Sequence, residues 1–395
     1  MLKIGVVGYG SRISGVLDEL MRVESSCVIT SVVDIRLAEV RTKLQEKGFD
    51  ISNIAFYERV EDMLEAKDVD GIFIGTRCDL HTELALKIIP TGIPLFLEKP
   101  VSTNEADLIK LYDLCSAYPH LNDNVVVSFP LRTSAIVGLV KDIIDSGQIG
   151  TVEHVQSINN VPYGGVYYQS WYRDPSIHGG LFLAKTTHDF DYLNYILGFI
   201  PTRVAAMASK QIFKGNKPAK LTCSVCQEVH ECPESPINLR WAYEQRQGDY
   251  CVFAEDTGNE DSSSALIEYD TGMHLSYSQN FYARKQAGAR GARFLGYKGT
   301  IEFDFYSAEA KVFMHHVPRV EVHKLDQSQL VHFGGDTELC RNFIDLMHGK
   351  AKSRSPLMAG ILSALMCIKA IDSTRTGTFQ SIELPGRPFP LQKNY

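Results

Sequence analysis

Six short apolar runs, spaced so that an amphipathic stretch fits between each pair, dominate the first 128 residues. They are Lys3 to Val7, Val28 to Val33, Ile54 to Phe56, Gly71 to Ile74, Pro94 to Leu97 and Val125 to Ser128. Near-continuous apolar strands alternating with helices such as Leu80 to Ile89 and Glu105 to Ser116 predict a parallel sheet, because parallel neighbours need a crossover that covers the sheet faces. Residues 1–128 therefore read as an α/β, doubly wound domain of the Rossmann kind. At 395 residues the chain exceeds the size at which one core keeps growing, so a second domain over 129–395 is expected. A helix from Thr133 to Asp145, a strand Val152 to Asn159, and alternating runs over 202–210 and 264–324 predict an α+β domain built on a large, mostly antiparallel sheet. A polar stretch at about 211–262 reads as an insertion, and closing helices at about 336–348 and 357–374 are expected to pack back onto the body.

The first strand runs into Gly8-Tyr9-Gly10-Ser11-Arg12-Ile13 and then into a helix. Two glycines at that junction allow a tight turn that brings backbone amides and the helix N-terminus against a pyrophosphate. Ile13 stands where a third glycine usually permits close packing of helix on strand. The second strand ends at Asp34, placed to accept hydrogen bonds from the adenosine ribose and to repel a 2′-phosphate, which favours NAD. Arg36, two residues on, is the residue that would argue for NADP instead.

A net charge of −7 gives no positive field for a nucleic-acid backbone. The chain opens directly on a strand, with no room for a signal peptide, and no apolar run approaches the ~18–20 residues of a membrane span. Scattered single cysteines fit a reducing compartment, so a cytoplasmic enzyme without a membrane or nucleic-acid partner is expected. Four cysteines cluster inside the insertion. Cys223 and Cys226 have metal-ligand spacing, and Cys232 and Cys251 would complete a tetrahedral structural zinc site, with His230 the alternative fourth ligand.

At Glu98-Lys99-Pro100, after the fifth strand, the chain resembles the glucose-fructose oxidoreductase / inositol dehydrogenase / MocA (Gfo/Idh/MocA) family. The likeness also runs through Asp34, the Thr76 to His81 loop, Arg132, Gly147 to Gly150, Trp171 to Asp174, Gly179-Gly180 and His188-Asp189-Phe190-Asp191. It implies a dinucleotide site that adds Thr76, Arg77, His81, Glu98 and Lys99 to Gly8, Tyr9, Gly10, Ser11, Arg12, Ile13, Asp34 and Arg36. It also implies a cis peptide before Pro100, a sugar-like polyol substrate, and a homo-oligomer, dimer or tetramer, paired through the second-domain sheet.

Lysine at the carboxyl end of a central strand points into the ligand crevice, where its ammonium is suited to stabilise alkoxide character, with Glu98 expected to orient it. His188 is suited to take the hydroxyl proton, and Asp191 lies three residues on, on the same helical face. One position departs from the family pattern: Ala184 replaces its usual aspartate. Lys185, three residues before His188, is expected to compensate, and two neighbouring ammonium groups would depress one pKa and let a lysine share the base role. The catalytic set is therefore Lys99, His188 and Lys185, with Asn160, Tyr163, Trp171, Arg173 and Asp191 as further polyol contacts. Aromatics stack on the C–H faces of sugars while forked polar groups take their hydroxyls. The expected activity is NAD-dependent oxidoreduction of a secondary hydroxyl on a sugar, glycoside or cyclitol. The alternatives are an NAD-dependent glycosidase using transient oxidation, a non-catalytic dinucleotide sensor, and a regulatory or structural partner protein.

Overall fold

Short strands flanked by glycine turns and joined by amphipathic helices leave the first sheet one arrangement, and the computed structural model, which describes residues 1–239, 248–326 and 331–389, shows it. Strands β1 (Leu2–Val7), β2 (Cys27–Val33), β3 (Ala55–Tyr57), β4 (Gly71–Ile74), β5 (Leu95–Leu97) and β6 (Val125–Val127) lie in the order β3-β2-β1-β4-β5-β6, all parallel. The order reverses between β1 and β4, whose last residues, Val7 and Ile74, are paired. A crevice opens beyond that point.

The second sheet has nine strands: β7 (Val152–Asn160), β8 (Pro201–Ser209), β9 (Ser262–Tyr269), β10 (His274–Asn280), β11 (Ala289–Gly296), β12 (Gly299–Asp304), β13 (Glu309–Met314), β14 (Val320–Lys324) and β15 (Gln380–Ser381). Their order is β14-β13-β12-β11-β7-β10-β9-β8-β15, antiparallel except where β7 meets β10, with Ser157 opposite Tyr277. One face buries Val155, Ile267, Leu275 and Phe294 beneath helices Ala135–Asp145, Thr187–Leu197 and Leu357–Thr376. On the other, Gln156, Ser276, Leu266 and Ala205 form one cross-strand row, and Ile158, Ser278, Ser264 and Met207 the next.

Helix Leu357–Thr376 corrects one expectation. By length and composition it is apolar enough to cross a membrane, but 72% of its most apolar window is buried inside the molecule. It is apolar all round because it packs against helices Glu105–Ala117 and Thr187–Leu197 and against β8. A Cβ on its Gly360 would lie 2.6 Å from Val101 Cγ1, so the helix rests directly on the turn that follows Lys99. Helix Gly335–Met347 returns to the first sheet, where Phe343 meets Phe73 and Phe96 edge-on with centroids 4.9 and 5.7 Å away. The two closing helices thus bind both sheets together.

The insertion carries little regular structure beyond a short turn at Cys223–Val225 and isolated bridges, Lys217 to Ala254 and Thr222 to Tyr250. Its residues 240–247 lie outside the described ones. Phe213 and Val252 anchor it against Tyr168 and Phe281.

Candidate active site

The turn after β1 is shaped for a close backbone approach. Gly8 holds φ +81°, and a Cβ there would lie 2.6 Å from Thr76 Cγ2. Gly10 caps helix Ser11–Val23 with no side-chain acceptor, which leaves the first-turn amides for an anion. The missing third glycine is compensated from the opposite strand. Gly75 faces Ile13, and a Cβ on Gly75 would sit 2.6 Å from Ile13 Cβ, so the close packing is preserved. Asp34, buried, accepts the Tyr9 amide at 2.9 Å and the Arg36 amide at 2.8 Å. The Arg36 guanidinium folds back to 3.5 Å from Asp34 and 3.7 Å from Glu39, so its charge is directed at carboxylates. Asp34 thus keeps the place a ribose requires, and these residues fit an NAD-type dinucleotide.

Other expected cofactor residues brace the crevice. Arg12 binds Glu98 at 3.1 Å, Ser128 at 3.1 Å and Asp336 at 2.6 Å. Burial opposes ionisation of Asp336, but His332 and Arg12 outweigh it and hold its carboxyl below the usual range. Glu98 is therefore bonded to Arg12, whereas Lys99 reaches elsewhere. His81 is buried and its Nδ1 lies 2.7 Å from the Pro100 carbonyl, tying the Thr76 loop to the cis Lys99-Pro100 turn. Arg77 spans from that loop to the second domain, its guanidinium 3.8 Å from the ring centroid of Trp171, which stacks on Tyr172.

Lys99 follows β5, and its Nζ donates to the Ala184 carbonyl at 2.7 Å. Ala184 lies in a π turn, Phe182–Thr186, that leads into helix Thr187–Leu197. Such turns displace the regular helical ladder, which is why they recur at functional sites. A main-chain oxygen thus receives the ammonium at the position where the family pattern has a carboxylate. Lys185, next along the π turn, is buried and donates to the Tyr163 hydroxyl, with its Nζ 4.7 Å from that ring's centroid. His188 meets Phe129 edge-on at 5.8 Å, and its Nδ1 is enclosed with no partner among the described residues.

These groups act on one another. Burial lowers the Lys99 pKa, with Lys185 and Arg12 adding to the effect against Glu98. Burial, then the Arg290 guanidinium, pushes Lys185 well below the ordinary lysine value. His188 is pushed well down by burial and then by Lys99, Arg290 and Lys185. The structure therefore gathers Lys99, Lys185, His188 and Tyr163 into one site, as the sequence suggests.

Other expected substrate contacts are engaged elsewhere. Asp191, fully buried, is bidentate with Arg132, the closest contact 2.6 Å, and burial raises its pKa against that arginine. It fixes the helix to the segment after β6 and does not stand free beside His188, because the π turn and the buried arginine fix the helix face. Arg173 is buried against Asp256 and Thr257, beneath the Tyr250 ring at 4.5 Å, so it secures the insertion. Asn160 ends β7 and accepts from Asn280 at 2.5 Å.

Two residues escaped the sequence reading. Asp189 is completely buried and accepts from Asn159 at 2.7 Å, Tyr277 at 2.8 Å and Arg290 Nε at 2.7 Å. It neighbours His188 in the motif, so that signal was present. Arg290, on β11, carries none, because its partner is 101 residues away. Burial works against its charge, yet Asp189 more than offsets this, and its pKa is raised. Among the described residues its Nη2 is enclosed with no partner.

In the insertion the Cys226 amide reaches the Cys223 carbonyl at 3.4 Å, and the Cys251 amide the Leu221 carbonyl at 2.8 Å. Among the described residues no three His, Cys, Asp or Glu side chains are grouped to hold a metal.

Comparison with known proteins agrees with this geometry. Residues 2–121 match a family model described as an oxidoreductase family with an NAD-binding Rossmann fold, and 137–302 match the GFO/IDH/MocA C-terminal domain. A Bacillus subtilis protein named as an oxidoreductase, YteT, is 26% identical over 73% of this chain and 74% of its own length. The myo-inositol 2-dehydrogenase of Thermotoga maritima is 25% identical over 50% of this chain, and the match spans 55% of that enzyme. The solved complex of levoglucosan dehydrogenase with NADH and levoglucosan superposes with a TM-score of 0.74, at 16% identity, over 97% of this chain and all of that one.

Proposed function

The chain belongs to the Gfo/Idh/MocA oxidoreductase family, and from that premise we propose that it is an NAD-dependent dehydrogenase acting on a secondary hydroxyl of a sugar, glycoside or cyclitol. The observation that carries this reading is the Lys99 ammonium at the carboxyl end of β5, 2.7 Å from the Ala184 carbonyl, with its charge acting on a His188 whose Nδ1 has no partner among the described residues. The Gly8–Ile13 turn and Asp34 would hold the dinucleotide, whose nicotinamide would accept or return hydride.

This chain's residues supply the proton chemistry. The Lys99 ammonium exchanges the Ala184 carbonyl for a substrate hydroxyl and stabilises negative charge as it grows on that oxygen. His188 and Lys185 have both had their pKa lowered, which favours neutral acceptors for the hydroxyl proton. Phe129 on the His188 ring and the Tyr163 hydroxyl on Lys185 set their orientation. Trp171, with its ring faces covered by Arg77 and Tyr172, ties the Thr76 loop to the second domain beside the site. The test is a screen of hexoses, glycosides and inositols for appearance of reduced nicotinamide. Cleavage of a glycoside without net reduction would replace this reading by the transient-oxidation alternative, and dinucleotide binding without turnover on any polyol would leave a sensor.

Three further assignments accompany the proposal. The small-residue face of the second sheet, with Leu266, Ile158 and Met207 exposed on it, pairs with a second copy. A zinc held through Cys223, Cys226, Cys232 and Cys251 is supported by spacing alone and would require these side chains to draw together from where they stand. The enzyme works in the cytoplasm, in keeping with cysteines scattered singly along most of the chain.

A further inference from the structure

The wall opposite Lys99 carries two buried cationic side chains. Lys185 and Arg290 are both about 4% exposed, and among the described residues the carboxylate bonded to either cationic head is Asp189, which accepts from Arg290 Nε, while Asp304 accepts the Arg290 main-chain amide at 2.8 Å. Ala184 removes the carboxylate that the family pattern would add. Among the described residues Arg290 Nη2 is enclosed and unpartnered, the costly condition for a buried donor. Among them, too, the Lys185 ammonium donates to the neutral Tyr163 hydroxyl. Arg290 also acts on Lys185, His188 and Tyr163, so the unsatisfied donor belongs to the substrate side of the crevice.

We propose that the substrate carries a carboxylate, as in a uronic or aldonic acid, and that Lys185, Arg290 Nη2 and the Tyr163 hydroxyl bind it while Lys99 and His188 address the reacting hydroxyl. This rests on the dehydrogenase reading and narrows its substrate class. A planar carboxylate has two oxygens, one for the ammonium and one for the guanidinium edge. It would also restore to Lys185 the ionised state that burial opposes.

The experiment uses the full chain loaded with NADH and measures calorimetric affinity for D-glucuronate and D-galacturonate beside D-glucose and D-galactose, and for D-gluconate beside sorbitol. At least one acid should bind tenfold or more tightly than its neutral counterpart. Lys185→Met should erase most of that preference. Because Arg290→Met alone strands Asp189 and threatens folding, the second variant is Arg290→Met with Asp189→Asn, which should also lose the preference. The proposal is overturned if neutral sugars bind as well as all three acids, or if the preference survives both variants. NAD reduction by a neutral polyol under those outcomes would leave the dehydrogenase reading standing, whereas absence of turnover on any compound that binds would count against that reading alone.

Discussion

Replacing Asp189 by asparagine keeps the shape of the side chain and removes the charge that balances Arg290. Asp189 is fully buried, and its Oδ1 accepts from Arg290 Nε at 2.7 Å, while Oδ2 takes Asn159 and Tyr277. Removing one partner of a buried ion pair typically costs ~3–5 kcal/mol, because the remaining charge is stranded. The amide retains one oxygen, which can serve either Arg290 or the Asn159 and Tyr277 pair, and the bonds lost on the other side fall within the same range. At roughly 2–4 °C per kcal/mol for a domain of this size class, Asp189→Asn should lower the melting temperature by about 6–20 °C. Arg290→Met should cost a similar amount. The double variant leaves neither charge stranded and should recover most of the loss, giving a coupling of several kcal/mol. Urea unfolding followed by intrinsic fluorescence, with the melting curve as a second probe, measures all four proteins. A loss below about 1 kcal/mol for Asp189→Asn, or simple additivity in the double variant, would refute the argument that this pair holds the site together.

Lys99→Ala and His188→Ala should each lower kcat by about 10²–10⁴-fold, with NAD affinity nearly unchanged for His188→Ala. Full activity of His188→Ala on the best substrate would remove histidine from the mechanism. Asp34→Ala should weaken NAD binding and narrow the preference over NADP, read by fluorescence titration. Lys185→Met should raise the melting temperature at neutral pH. The folded amine has the lower pKa, so its cost is full below that value and fades as pH rises through the unfolded value of ~10.4; a gain that persists above this pH would contradict the assignment. Elemental analysis should find about one zinc per chain, and metal-free protein with unchanged folding would reject the insertion site.

The fold was legible because its signals are local. Parallel strands buried on both faces announce themselves as unbroken apolar runs, and the nine-stranded sheet as alternation, down to the row that buries Ile267 and exposes Leu266. Lys99, Lys185 and His188 were legible for the same reason, since motif and spacing place them. What the sequence concealed was which polar residue pairs with which. Asp191 and Asp189 look alike in His188-Asp189-Phe190-Asp191, and only the positions of Arg132 and Arg290, each far away in sequence, decide that one locks a helix and the other supports the site. Arg173 was misjudged likewise, because its partners lie in the insertion. Helix Leu357–Thr376 hid its apolar length behind single polar residues such as Ser363, which turns inward to bond the Thr187 carbonyl at 2.6 Å.

The π turn joins these observations. A regular helix through 182–188 would place Lys185 and His188 on one face at ordinary spacing, each competing for the same opening. The observed turn offers the Ala184 carbonyl to Lys99 and sends Lys185 to Tyr163. The ammonium that meets the reacting hydroxyl is thus separated from the one that meets the rest of the substrate. With a carboxylate at position 184, Lys99 would gain a counter-ion. With alanine there, Lys99 is held by a neutral oxygen that a hydroxyl can displace without breaking an ion pair. The substitution at position 184 is therefore compatible with hydride chemistry at Lys99, and it alters mainly what the far side of the substrate must carry.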